Sequence, residues 1–133
     1  MTHPIVLVID DDPDFLEGLR ISFEHSAFFV TTATNGAEGL QKAIQLRPDC
    51  IILDILMPKQ DGDAVFKALK NHPETASVPV IVLTSLLPFE GHVGAHSLMR
   101  DSRIAAYYEK PVDPKQLIDK VKMLISAEKP ASH

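Results

Sequence analysis

The chain has 133 residues, of which 45% are hydrophobic and 23% charged, and its formal net charge is −5. This length and composition fit one ordinary folded domain and exclude a disordered or fibrous protein. The acidic balance leaves no broad basic surface for a phosphate backbone, so direct nucleic-acid binding is not expected. The apolar runs are far shorter than the roughly 20 residues that cross a bilayer, and no signal-peptide pattern is present. We therefore expect a cytoplasmic protein without membrane insertion.

Short apolar runs alternate with amphipathic segments of helical length. Five runs are predicted strands, at residues 5–9, 28–33, 50–53, 78–83 and 105–109. The first, third and fourth are continuously apolar rather than alternating, which is typical of parallel strands covered by helices on both faces. Cys50 is the single cysteine of the chain and its apolar neighbours indicate a small buried side chain. The pattern predicts an α/β fold with a doubly wound, five-stranded parallel sheet.

Helices are predicted between these strands, with local signals for their starts. Three apolar stripes are interpreted as core faces: Leu16, Leu19 and Phe23; Ala37, Leu40 and Ile44; Leu117, Val121 and Leu124. N-cap signals precede three of the helices: Asp12 with Pro13, Asn35 with Glu38, and Asp113 with Pro114. A further helix follows Gly62 and ends near His72 and Pro73. The domain is predicted to span residues 1–126, followed by a polar tail at 127–133.

Polar side chains follow four of the predicted strands. They are Asp10 and Asp11 after the first, Asp54 after the third, Thr84 and Ser85 after the fourth, and Lys110 after the fifth. Open parallel sheets bind ligands outside the carboxyl ends of their strands, so these side chains are expected to converge on one edge. Crowded carboxylates stay ionised only with a cation beside them, and oxygen-only ligands suit Mg2+. The sequence therefore predicts a divalent-metal site there.

Five short segments together resemble the bacterial response-regulator receiver domains: residues 8–13 (VIDDDP), 54–58 (DILMP), 61–62 (DG), 80–85 (VIVLTS) and 110–111 (KP). They occur in the family's order at strand ends and span nearly the whole chain. The resemblance implies a flavodoxin-like fold with strand order 2-1-3-4-5 and helices on both faces. It also implies a phosphoacceptor signalling domain of a two-component phosphorelay.

The resemblance assigns roles to particular residues. Asp54 would accept the phosphoryl group from a histidine kinase or histidine phosphotransfer protein, with Lys110 and Thr84 contacting its oxygens. Mg2+ or Mn2+ would be held by Asp10, Asp11, Asp54 and the backbone carbonyl of Leu56. Thr84 and Tyr107 would form the switch, and a cis bond is expected before Pro111. A downstream effector protein would bind the face made by the fourth helix, expected between Thr84 and Lys110, the fifth strand and the last helix.

Two further expectations concern residues near Asp54 and Thr84. In the family that the sequence resembles, the lifetime of the phosphoryl group depends partly on the residues two positions after the phosphorylated Asp and after the switch Thr. Here both, Leu56 and Leu86, are apolar and cannot orient an attacking water, so the resemblance implies slow dephosphorylation. The segment between Thr84 and Lys110 is longer than usual for the family, and a proline and two glycines within residues 86–94 argue against a regular helix before Gly94. Two interpretations of that segment stay open: a simple loop insertion, or a segment that becomes ordered on phosphorylation.

Other functions fit the sequence less well. The alternative from another class is a receiver-fold scaffold that is never phosphorylated. A flavin carrier would need a phosphate-binding loop where three aspartates stand at residues 10–12, and aspartyl-phosphate phosphatases have a second Asp that Leu56 replaces. No dedicated enzyme activity on an external substrate is expected. His92 and His96 have metal-ligand spacing but no third ligand, so they are interpreted as solvent-exposed, and Asp61 with Gly62 as a turn.

Overall fold

The computed structural model describes residues 3–55, 62–84 and 101–128. In these ranges strands and helices alternate as β1 (Ile5–Ile9), α1 (Pro13–Glu24), β2 (Phe29–Ala33), α2 (Gly36–Leu46), β3 (Cys50–Asp54), α3 (Gly62–Asn71), β4 (Val80–Thr84), β5 (Ile104–Glu109) and α4 (Pro114–Glu128). Every predicted strand is present, with ends that differ by no more than two residues from the prediction. A helix was also expected between Thr84 and Lys110, and residues 85–100 of that segment lie outside the described ranges.

The five strands form one parallel sheet in the order β2-β1-β3-β4-β5. This confirms the predicted fold class and strand order. β1 lies between β2 and β3 in the sheet. The chain therefore passes from β1 to β2 on one side and then crosses to β3 on the other side of β1. That reversal creates a crevice at the carboxyl ends of β1 and β3, where doubly wound sheets bind their ligands.

Two apolar clusters cover the two faces of the sheet. β1, β3 and β4 contribute alternate residues to each cluster, and their apolar side chains are buried apart from Ile5. This confirms the prediction that the strands with continuous apolar runs are covered on both faces of the sheet. Cys50 is fully buried at the start of β3, and burial raises the pKa of its thiol to about 12. No helix in the described ranges is long and apolar enough to cross a membrane.

Capping side chains set the starts of the helices as predicted. The Asp12 carboxylate accepts a hydrogen bond of 3.0 Å from the backbone N–H of Asp14, and Pro13 is the first residue of α1. Asn35 accepts one of 2.8 Å from the N–H of Glu38. In a standard capping box, the Glu38 carboxylate would accept a hydrogen bond from the backbone N–H of Asn35. Here it accepts from the N–H of Thr34, one residue earlier.

The predicted core face of α2 is wrong by one position. The buried residues are Gly36, Gly39 and Ala43, whereas Ala37 is exposed and Leu40 and Ile44 are only partly buried. A Cβ on Gly39 would lie 2.5 Å from Cδ1 of Ile9, so this helix approaches the sheet too closely for a side chain there. Small residues therefore face the sheet, and the larger apolar side chains pack along the sides of the helix.

Candidate functional site

The candidate site lies at the carboxyl edge of the sheet. Asp54 and Thr84 are the last residues of β3 and β4. The sequence had predicted that each would directly follow its strand, so both strands are one residue longer at this end than expected. Asp10 directly follows β1, and its N–H continues the ladder with a 3.0 Å bond to the carbonyl of Ala33. Lys110 follows β5, and its N–H donates to the carbonyl of Thr84 at 2.7 Å. Because strand ladders hold all four backbones, the side chains start from fixed positions.

Three carboxylates meet at this edge, as predicted. Asp10, Asp11 and Asp54 each offer one oxygen, and these oxygens all lie within 4.8 Å of one another. Asp10 and Asp54 are only 1% and 3% exposed, while Asp11 is open to solvent. Buried carboxylates so close together repel, and an oxygen-only set with one open side fits a hard divalent cation.

The Lys110 ammonium lies against two of these carboxylates. Its Nζ donates to Oδ2 of Asp10 at 2.6 Å and to Oδ2 of Asp54 at 3.3 Å. Burial opposes the charge of Lys110, yet the hydrogen bond with Asp10 and the negative charge of Asp54 raise the pKa of the ammonium above its usual value. The lysine is therefore a fixed cation beside Asp54.

Asp10 experiences the opposite balance. Burial raises the pKa of its carboxyl group above the usual value, and the charge of Asp54 adds to the rise. The hydrogen bonds from Lys110 and from the N–H of Asp12, the latter 2.9 Å long, lower the pKa but do not compensate fully. The charged form of Asp10 is therefore less favourable here than in water, chiefly because the carboxylate is buried.

Thr84 and Tyr107 sit at different depths on neighbouring strands. Thr84 is fully buried at the end of β4, whereas Tyr107 is 52% exposed on β5, in register with Val82. The bond between Lys110 and Pro111 is cis, as the resemblance implied.

Several predicted residues lie outside the described ranges. They are Leu56, Asp61, Ser85, Leu86, His92 and His96. One residue that the sequence did not single out does contact the site: the ring centroid of Phe15 lies 4.1 Å from the Lys110 ammonium. The available signal was an aromatic residue in the first turn of the helix that follows the acidic triplet.

Fold and site together define an α/β domain with a cluster of three carboxylates and one lysine at the switch point of its sheet. The family model described as response regulator receiver domain matches residues 6–122. The receiver domain of a signal transduction histidine kinase from Syntrophus aciditrophicus is 30% identical with a TM-score of 0.82, and the match covers 97% of this chain and 95% of that one. The chemotaxis response regulator CheY4 of Vibrio cholerae is 25% identical with a TM-score of 0.77, over 92% and 99% of the two chains.

Curated relatives agree. The transcriptional regulatory protein PrrA of Mycobacterium tuberculosis is 39% identical over 94% of this chain and 51% of its own length. The DNA-binding dual master transcriptional regulator RpaA of Synechocystis sp. is 34% identical over 92% of this chain and 49% of its own. The chain thus spans about half the length of these relatives. It belongs to the response-regulator receiver domain family and is a phosphoacceptor module of two-component signalling.

Proposed function

We propose that Asp54 is the phosphorylated residue and that its donor is the phosphohistidine of a histidine kinase or histidine phosphotransfer protein. The observation that carries this assignment is the position of its carboxylate, buried at the end of β3 and 3.3 Å from the Lys110 ammonium. A buried carboxylate with an adjacent cation can approach an anionic phosphoryl group that a cluster of bare carboxylates would repel.

The chemistry uses groups already in place. An oxygen of Asp54 attacks phosphorus, the bond from phosphorus to the donor imidazole nitrogen breaks, and the electron pair leaves with the imidazole. Lys110 neutralises charge on the transferring oxygens, and the Thr84 hydroxyl donates to one of them. Hydrolysis by water later restores the carboxylate and releases phosphate. No dedicated external substrate is required, since the domain acts on its own carboxylate.

Mg2+, or Mn2+, would be held by Asp10, Asp11 and Asp54, with the backbone carbonyl of Leu56 as a further ligand. The oxygens of the three carboxylates lie close enough to share one ion, which supports this assignment. When bound, the cation supplies positive charge opposite the transferring oxygens. By resemblance to other receiver domains, Asp11 would be a direct ligand of the ion.

The signal would leave the site through Thr84 and Tyr107. Thr84 moves toward the new phosphoryl group, and Tyr107 turns inward to fill the space that the threonine side chain leaves. The changed face, made by the helix expected between β4 and β5, by β5 itself and by α4, would bind an effector protein. The protein would act in the cytoplasm by protein contact, without touching nucleic acid or membrane itself.

Phosphorylation by a small phosphodonor tests the assignment. Wild-type protein incubated with acetyl phosphate and Mg2+ should gain one phosphoryl group by intact-mass spectrometry. Asp54→Asn preserves shape but removes the nucleophilic oxygen, so labelling should fall by on the order of a thousandfold or more. Chelating the metal should also stop labelling, and Asp11→Ala should weaken Mg2+ binding by roughly tenfold or more.

Asp49→Asn is the matched control, since it makes the same change at the other end of β3 and should leave labelling unchanged. Undiminished labelling of Asp54→Asn at another residue would reject Asp54. Wild-type protein that takes no label from any phosphodonor would favour the scaffold alternative instead.

A further inference from the structure

The Lys110 ammonium has a third neighbour besides its two carboxylates. Its Nζ lies over the ring of Phe15, 4.1 Å from the centroid. Cations within about 6 Å of an aromatic centroid are attracted by the negative face of the ring, and the attraction strengthens when water is excluded. Both side chains are partly buried, so this contact is partly shielded from solvent.

The start of α1 fixes the ring in this place. Asp12 caps the helix and Pro13 opens it, which puts Phe15 in the first turn beside the strand ends. The ring packs on the apolar cluster of this face of the sheet. It also forms one wall of a cleft of about 610 Å³ between α1 and the start of α4, next to Lys110 and Gly18.

The carboxylate partners of Lys110 change during the reaction, but the ring does not. Asp54 loses a negative charge when its oxygen is joined to phosphorus, and Asp10 would also serve the cation. The aromatic face attracts the ammonium without accepting one of its three hydrogens in a conventional hydrogen bond to oxygen. Donors of Lys110 therefore stay available to phosphoryl oxygens while the ammonium is held from one side.

We propose that Phe15 is a positioning residue, whose aromatic face keeps the Lys110 ammonium directed at Asp54 through phosphoryl transfer. The inference rests on the proposed function of Asp54. It is more specific than apolar packing, because a leucine would fill much of the same space but has no negative face. The distinction lies in the electrostatics of the ring and not in its volume.

Substitutions that separate ring electrostatics from volume test the proposal. With acetyl phosphate and Mg2+, Phe15→Leu should slow labelling of Asp54 about fivefold, equivalent to roughly 1 kcal/mol at 1.36 kcal/mol per tenfold change. Phe15→Tyr keeps the aromatic face and should stay within about twofold of wild type. Phenylalanine analogues with one, two and three ring fluorines at position 15 should slow labelling stepwise, since fluorine weakens the negative face with little change in shape.

Phe23→Leu is the matched control. Phe23 lies on the same helix and in the same apolar cluster, but its ring packs edge-on against Phe28, with the centroids 5.2 Å apart. This variant should be less stable than wild type and yet be labelled at the wild-type rate when folded. Equal labelling rates for wild type, Phe15→Leu and the fluorinated series would overturn the positioning role while leaving Asp54 as the phosphoacceptor.

A measurement without phosphorylation keeps the two proposals separate. Protons on Cε of Lys110, the carbon bonded to the Nζ that lies over the ring, should show an upfield ring-current shift in the NMR spectrum of lysine-labelled protein. That shift should disappear in Phe15→Leu and persist in Phe15→Tyr. An unshifted Lys110 signal in wild type would show that the contact between Lys110 and the Phe15 ring does not form. Wild-type protein that shows the shift but takes no phosphoryl label would reject the proposed function and the role of Phe15 in it, and leave a structural contact.

Discussion

The two ends of β3 carry the same residue type in different roles. At the amino end, the carboxylate of Asp49 accepts a 2.8 Å hydrogen bond from the backbone N–H of Ile5 and so joins β3 to β1. At the carboxyl end, Asp54 shares its surroundings with Asp10, Asp11 and Lys110. One aspartate satisfies a backbone donor, and the other faces competing charges. The position at the edge of the parallel sheet, and not the residue type, decides which aspartate lies among other charged groups.

The largest expected effect concerns the close packing at the carboxyl end. A Cβ on Gly62 would lie 2.3 Å from Cα and 2.6 Å from the carbonyl oxygen of Ile55, directly after β3. Backbone atoms cannot move aside as a flexible side chain can, so Gly62→Ala should lower the free energy of unfolding by about 3 kcal/mol. Urea denaturation measures this loss.

Gly18 provides the control for Gly62→Ala, since nothing lies within 4 Å of a Cβ built there on α1. Gly18→Ala should gain roughly 0.5 to 1 kcal/mol from helix propensity. Similar changes in stability for the two variants would show that the chain is not tightly closed at the end of β3.

A smaller loss is expected at the amino end of the strand. Asp49→Ala removes the acceptor for the N–H of Ile5, which is partly buried, and should cost about 1 kcal/mol of unfolding free energy. Phosphoryl labelling of the folded variant should not change. A variant as stable as wild type would mean that water replaces the carboxylate at no cost. The stabilising role assigned to Asp49 would then be wrong.

The smallest effect has the opposite sign. The folded-state pKa of Asp10 lies above its ordinary value, chiefly because of burial. Such a group stabilises the fold fully only below its ordinary pKa, and that contribution is lost as the pH rises through the folded value. At pH 7 without divalent cations, Asp10→Asn should therefore raise the melting temperature. The rise is small because the ion pair with Lys110 offsets part of the burial cost.

Lowering the pH below the ordinary range of aspartic acid should abolish this difference, because both side chains are then neutral. Asp119→Asn on the exposed face of α4 is the control and should have little effect at either pH. A lower melting temperature for Asp10→Asn at pH 7 would show that the ion pair outweighs burial and repulsion.

Most of the fold and site followed from short patterns, and the exceptions have physical causes. Continuous apolar runs predicted the covered strands, and polar residues at their ends predicted the acidic cluster, since parallel strands end at one edge. The core face of α2 was misjudged because apolar size suggested Leu40 and Ile44, while the close approach of helix and sheet selects Gly39.

Contacts between distant parts of the chain were harder to predict from the sequence. Lys110 and Asp10 are 100 positions apart, and the strand ends predicted that they would be close but not that they would form a 2.6 Å ion pair. The contact between Phe15 and Lys110 depends on the rotation of α1 about its axis, which the local sequence does not specify.

The fully buried thiol of Cys50 has a practical consequence for spectroscopy. It is the single cysteine of the sequence, and with a pKa of about 12 it exists almost entirely as the unreactive thiol near neutral pH. Maleimide dyes and spin labels should therefore leave the folded protein unmodified. A cysteine introduced at an exposed position would be the single labelled site, so distance reporters can be attached to the native background without first replacing Cys50.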